Sequence, residues 1–165
     1  MIGLSSLISS GGGYILIKEG FVLWLHQGGS EVANRDGNEN RCLIDYKFYC
    51  FNGEPRFLYI SKGLENHETA RISFLELDWR FAQFQRNDYR PFEILPKKPV
   101  NYEKMIQLAR ILSRNIPFAR IDLYEICEKV YFSEITFSPC SGCLPFYPSE
   151  WDLILGKYIE LPKTT

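Results

Sequence analysis

The run IDYKFYCF, then Asn52-Gly53, then EPRFLYI places two strand-forming segments around a turn signal. Aromatic and β-branched residues favour a pleated, half-buried surface. An Asn-Gly step suits a two-residue turn in which both residues take positive φ. The segment is therefore expected to be a tight antiparallel hairpin, and the rest of the chain must cover it. SSGGGYILIKEGFVLWL reads as a glycine-rich turn followed by one or two strands. HQGGSEVANRDGNENR reads as a loop, residues 61–70 as a polar connection, and ISFLELDW as a further strand. Residues 80–100 carry Pro91, Pro96 and Pro99 and read as irregular. NYEKMIQLARILSRN predicts a helix. Asn101 stands where it can cap it, Met105, Leu108, Ala109 and Leu112 form an apolar stripe, and Pro117 lies beyond its end. WDLILGKYIELP reads as a short helix or strand. The expected class is α+β, an antiparallel sheet with about two helices.

With 165 residues, of which 45% are apolar and 15% aromatic, the chain can fold as one domain with a real core. About 70% of the unfolded surface is buried at this length. The 19 basic and 20 acidic residues leave a net charge of −1, without the basic excess of a nucleic-acid or anionic-membrane binder. YILIKEGFVLWL, the most apolar run, is broken by Lys18, Glu19 and Gly20 and is too short to span a membrane. MIGLSSLISSGGG has no basic residue ahead of its apolar part, unlike a signal peptide. The five cysteines follow no disulfide framework, so a cytoplasmic location with reduced thiols is expected.

A second hairpin, RIDLY followed by VYFSEITF, carries the candidate chemistry. Strict alternation puts Arg120, Asp122 and Tyr124 on one side of the first strand, and Ile121 and Leu123 on the other. On the returning strand it puts Phe132, Glu134 and Thr136 on one side, and Tyr131, Ser133, Ile135 and Phe137 on the other. With a turn around residues 126–129, Asp122 falls opposite either Phe132 or Glu134. The two carboxylates are then within about 8 Å. Like charges so close repel unless something compensates. One reading is a solvated sheet face, on which charges mean little. The other is a divalent cation: Mg2+ takes oxygen ligands from one or two carboxylates and from substrate phosphates. Arg120 would then neutralise charge on a transferring phosphoryl group.

The order of these residues resembles the metal-binding core of ATP-grasp ligases: Arg-x-Asp, a turn, Glu-x-Thr, and a loop rich in Pro, Ser and Gly. More narrowly, the chain resembles the TupA-like ATP-grasp family, named for teichuronopeptide biosynthesis. The likeness runs in order through IDYKFYCFNGEPRFLYI, FLELDW, NYEKMIQLARILSRNIPFARIDLYE, VYFSEITFSPCSG and PFYPSEWDLILGKYIELP, over residues 44–162. The resemblance implies the C-terminal lobe of the ATP-grasp fold over residues 44–165, with residues 1–43 a remnant of the first lobe or a linker. It implies that Asp122 and Glu134 ligate Mg2+ ions bridging the ATP phosphates, and that Arg120 faces the γ-phosphoryl group. Thr136 stands where related ligases often carry Asn as a further metal ligand. Ser138, Ser141 and Gly142 belong to the small-residue loop that would receive the acceptor through backbone N–H groups. Lys47 is a candidate contact for nucleotide or phosphate, with a solvated strand lysine as the alternative. The implied function is a carboxylate–amine ligase using MgATP and forming an acylphosphate, in cell-surface polysaccharide or teichuronopeptide synthesis. A sugar acid is a candidate substrate.

Two departures from the family pattern matter. Only about forty residues precede the recognisable part, whereas ATP-grasp enzymes clamp ATP between two lobes. The chain is accordingly expected to be a fragment, a truncated relative or half of a split protein, with a second chain supplying the first lobe. The alternative function is a non-catalytic module of the same family that binds a sugar or depends on a partner. The second departure is the SPCSGC loop, which has Cys140 where the family usually has glycine, and Cys143 in place of a bulky residue. The Cys140-x-x-Cys143 pair also invites a zinc or redox reading, against which stands the bland one of two small thiols in a loop. His67 and Arg71 could bind acceptor or phosphate, or be surface polar residues. Trp24, Trp79 and Trp151 read as packing residues, with stacking on a sugar as the alternative.

Overall fold

The computed structural model describes residues 43–162 throughout and, before them, the strands β1 (Ser6–Ser10), β2 (Gly13–Lys18) and β3 (Phe21–His26). The loop expected over residues 27–42 lies outside the described residues. The chain then continues through β4 (Ile44–Phe51), β5 (Glu54–Lys62), β6 (Arg71–Glu76), α1 (Tyr102–Leu112), β7 (Phe118–Ile126), β8 (Lys129–Thr136) and α2 (Glu150–Gly156). One sheet contains all eight strands in the order β1-β2-β3-β8-β7-β4-β5-β6. The five strands from β8 to β6 are antiparallel, so the fold is α+β as expected. β3 meets β8 in parallel at Trp24 and Leu25. The final segment, left open between helix and strand by the sequence, starts as a helix that ends at Gly156.

The Asn-Gly turn forms as its chemistry requires, with φ of +51° at Asn52 and +83° at Gly53. The Asn52 side-chain amide donates to the Tyr158 carbonyl at 2.6 Å, and its carbonyl accepts from the Glu160 N–H at 3.0 Å. The hairpin tip thus holds the chain beyond α2 against the sheet end.

The sheet has two different faces. Phe48, Leu58, Ile60, Ile121 and Leu123 point to one side, where α1 lays its expected stripe of Met105, Leu108, Ala109 and Leu112 on them. Met105 and Leu108 are fully buried, and each such side chain contributes about 1.5–3 kcal/mol. The other side carries Tyr49, Phe51, Phe57, Tyr59 and Phe74, packed by Phe84, Phe146, Trp151 and Leu155 from the later segments. The packing reading of Trp79 and Trp151 fits these contacts, since Trp79 lies against Tyr46 and Tyr102, and Trp151 against Phe57 and Phe84.

Two local expectations need correction. Asn101 makes no side-chain cap hydrogen bond to α1. Its amide donates instead to Glu125 Oε2 at 3.0 Å and to the Glu128 carbonyl at 2.7 Å. The Glu125 carboxylate also accepts the N–H groups of Val100 and Asn101. An anion from β7 therefore sits at the helix N-terminus, where the backbone dipoles favour it. The second correction concerns β8, whose strict alternation is broken by a bulge. Asp122 pairs with Glu134, but Leu123 pairs with Phe132, leaving Ser133 as the extra residue. Phe132 therefore packs on the α1 side together with Ile135, and Tyr131 stacks on Tyr124 with rings 5.5 Å apart.

Gly53 is pinned by more than its φ. A Cβ added there would lie 3.3 Å from the Arg114 Cα. We expect Gly53→Ala to cost about 1–2 kcal/mol, measurable by urea unfolding, with the same denaturant slope as the parent chain.

Candidate functional site

The site grows out of strand register. Lys47 on β4 is directly opposite Asp122 on β7, which is directly opposite Glu134 on β8. One step along the sheet on the same face, Tyr49, Arg120 and Thr136 form the parallel row. The even-numbered residues of β7 and the lower end of β8 thus share a face, as the sequence predicts.

What compensates the paired carboxylates is now visible. Arg120 donates through Nε to Asp122 Oδ1 and through Nη2 to Oδ2, both at 2.7 Å. Lys47 Nζ donates to Asp122 Oδ2 at 2.5 Å. Arg120 Nη2 also reaches Glu134 Oε1 at 2.5 Å, and the Thr136 hydroxyl donates to the same oxygen at 3.1 Å. Asp122 is 0% exposed, Lys47 8% and Arg120 9%, so Lys47 is not a solvated strand lysine. Glu134 is exposed, which leaves the outer end of the network open to a ligand.

The electrostatics follow from this gradient of burial. Burial pushes the Asp122 carboxyl above its ordinary value, against the pull of Arg120 and Lys47. The Arg120 guanidinium is shifted upward: burial disfavours its charge, but its hydrogen bond and attraction to Asp122 outweigh that. Glu134 is held below its ordinary value. Burial opposes its charge, and hydrogen bonding with Asp122 and Thr136 together with the charges of Arg120 and Lys47 prevails.

The loop residues stand beside this network rather than in it. Ser138 precedes a short 3-10 turn, Pro139–Gly142. Cys140, Ser141 and Gly142 have φ of +50°, +58° and +78°. Cys140 therefore occupies a left-handed position where glycine fits best, at a cost of about 1–2 kcal/mol. Ser138 and Gly142 line a cavity next to the charged row, whereas Ser141 is an exposed member of the turn. Cys140 and Cys143 are free and exposed, and among the described residues no group of three His, Cys, Asp or Glu is placed to hold a metal. His67 packs on the Tyr89 ring, and Arg71 donates to the carbonyls of Thr69 and Ala70.

Three neighbours were not singled out from the sequence. Lys47 Nζ and the Arg120 guanidinium lie 6.0 and 5.9 Å from the centre of the Tyr59 ring. Tyr49, beside Arg120, joins the charged row to the cavity. Arg86 is bonded to Asp88, and its charge acts on Tyr49 and Tyr59. The parity of β4 held a signal for Tyr49, which shares a face with Lys47. Arg86 lies in an irregular segment and gave none.

The charged row thus lies on one face of a helix-backed antiparallel sheet. The family model described as TupA-like ATPgrasp matches residues 31–160. The chain belongs to the TupA-like ATP-grasp family, and membership implies ATP binding in general terms. No curated protein and no solved structure matches the chain. Among the described residues, no helix is long and apolar enough to cross a membrane.

The network makes a ranked prediction. Asp122→Asn leaves two buried cations short of their counter-charge and should cost about 3–5 kcal/mol. Lys47→Met should cost less, because Asp122 keeps both contacts to Arg120. Chemical denaturation of the two variants checks the order. A second prediction concerns acid. The folded value of Glu134 lies below the ordinary 4.5, so its contribution is complete above pH 4.5 and is lost as pH falls through the folded value. Glu134→Gln should lower the neutral plateau of stability and flatten the acid limb, as read from melting temperature against pH.

Proposed function

We propose that the chain is the nucleotide-handling sheet lobe of an ATP-dependent carboxylate–amine ligase. The observation that carries this reading is the connected row Lys47–Asp122–Arg120–Glu134–Thr136, buried at one end and open at the other. In the reaction a substrate carboxylate oxygen attacks the γ-phosphorus of ATP. The bond to the β-phosphate oxygen breaks, giving an acylphosphate and ADP. An amine nitrogen then attacks the acyl carbon, forming the C–N bond. The C–O bond to phosphate breaks, phosphate leaves with the electron pair, and the amine gives up a proton to solvent.

The chain's residues serve this by position and charge rather than by covalent participation. Arg120, oriented by both Asp122 oxygens, offers its guanidinium to the transferred phosphoryl group. Lys47 supplies a second fixed cation for phosphate. Glu134, whose carboxylate is exposed, and the Thr136 hydroxyl would be the reachable oxygen donors for Mg2+, and Asp122 would join them only by giving up a bond to Lys47 or Arg120. When bound, that ion would neutralise phosphate charge. Ser138, Ser141 and Gly142 present the acceptor side. Residues 1–43 would be a remnant of the first lobe or a linker, with a second chain supplying the lobe that closes over the nucleotide. A sugar acid as carboxylate substrate, and a setting in cell-surface polysaccharide or teichuronopeptide synthesis, rest on the family alone.

Thermal unfolding with and without MgATP, beside a Glu134→Gln control, tests the reading. Ligand at about a hundred times its dissociation constant adds roughly 2.7 kcal/mol, a rise of about 5–10 °C for a domain of this size. The expected result is a rise that requires Mg2+ and disappears in Glu134→Gln. A rise that survives in the variant, or none at millimolar MgATP, removes the assignment from this chain.

A further inference from the structure

The cavity beside the charged row has a volume of about 570 Å3, within the range of about 300–1,000 Å3 usual for small-molecule sites. Its wall is mostly apolar, formed by Phe51, Phe118, Leu144, Phe146 and Leu155. Ser138 and Gly142, two of the proposed acceptor-loop residues, belong to the same wall. Among the described residues, no lysine, arginine or histidine lines it, and its one carboxylate is Asp152, which is exposed. Tyr49 is also part of the wall and is 3% exposed. Among the described residues, its hydroxyl is the one buried side-chain oxygen or nitrogen without a hydrogen-bond partner. That oxygen has less than 1 Å2 of accessible surface, so a ligand in the cavity meets other atoms of Tyr49 and not its hydroxyl.

This lining discriminates between the two substrates of a carboxylate–amine ligase. An anionic sugar acid needs cations and many hydrogen-bonding groups, which the wall lacks. The cations sit in the charged row, two residues along β4 at Lys47 and across the ladder at Arg120. An amine with an apolar body meets the opposite requirements: apolar surface for its carbon skeleton, aromatic faces and the Asp152 carboxylate for its positive charge, and the exposed Ser138 hydroxyl to accept its N–H. We propose that this cavity is the acceptor site and that it takes a primary amine with an apolar body. The assignment as acceptor rests on the ligase reading; the apolar-amine selectivity rests on the wall.

Phenethylamine and isopentylamine are the probes, with glucuronate as the anionic counter-probe, and binding is followed by ligand-observed NMR titration. Gly156→Phe fills the cavity from its wall. A Cβ at Gly156 meets no atom within 4 Å, so the variant should keep the parent unfolding transition. Asp152→Asn removes only the carboxylate charge at an exposed position, and its melting temperature should stay close to that of the parent chain. We expect both amines to bind the parent chain, with at least a tenfold loss in Gly156→Phe and a loss of about two- to fivefold in Asp152→Asn. Glucuronate should show no response to either substitution. The proposal is overturned if neither amine binds, if binding survives both substitutions, or if glucuronate binding is the one abolished by Gly156→Phe. Amine binding without a MgATP-dependent thermal shift would remove the ligase reading and leave an apolar-amine site. A MgATP shift without amine binding would do the reverse.

Discussion

The placement of one carboxylate inside the sheet organises the rest of the molecule. Asp122 has no water contact, and a buried charge is tolerated only when paired and hydrogen-bonded. Its two oxygens take three donors from two cations, one on the neighbouring strand and one two residues along its own. Those cations are themselves nearly buried, so each depends on the anion as much as the anion depends on them. The register of β4 on β7 is set by this triad as well as by the apolar face behind it. A slip by one residue would bring Lys47 into the α1 core and leave Asp122 unpaired. Under the proposed function, structural and functional demands fall on the same atoms. The arrangement that keeps the fold in register also presents a rigid guanidinium, a lysine and an open glutamate on one surface.

Much of this was legible in the sequence because local chemistry and global fold agree. The Asn52-Gly53 turn, the apolar stripe of α1 and the shared face of Arg120, Asp122, Glu134 and Thr136 follow from periodicity and turn preference alone. The charge partner of Asp122 was harder to read, because it comes from a strand 75 residues earlier in the chain. Nothing in the DYK triplet distinguishes a buried lysine from a solvated one until the strand order is known. The helix cap failed for a similar reason. Asn101 is a good capping residue by type, but Glu125 arrives from β7 and takes the backbone donors. The bulge at Ser133 has no sequence signature, and alternation alone assigned Tyr131 and Phe132 to the wrong sides.

The site divides into a polar and an apolar half, joined at Tyr49. On the polar side fixed charges are held in a low-dielectric setting, where they act strongly on an approaching anion. On the apolar side the chain brings aromatic rings together from β4, β7 and the segment after β8. Asn52 contributes from a distance, since its amide holds the backbone just past α2, and α2 forms part of the cavity wall. The two halves therefore share a scaffold, and a change at the first hairpin's tip reaches the apolar wall without touching the charged row.

The bulge in β8 has a consequence for how the chain tolerates changes in length. Phe132 and Ile135 both face inward, and between them Ser133 and Glu134 share one partner on β7. Shortening the strand by one residue there would restore a regular ladder with both ends in phase. Glu134 would stay opposite Asp122, Phe132 opposite Leu123 and Tyr131 opposite Tyr124. A one-residue change at the distal turn, between Ile126 and Lys129, would instead disturb the Glu128 carbonyl that accepts from Asn101. Loss of one residue in this hairpin should therefore be accommodated best at Ser133.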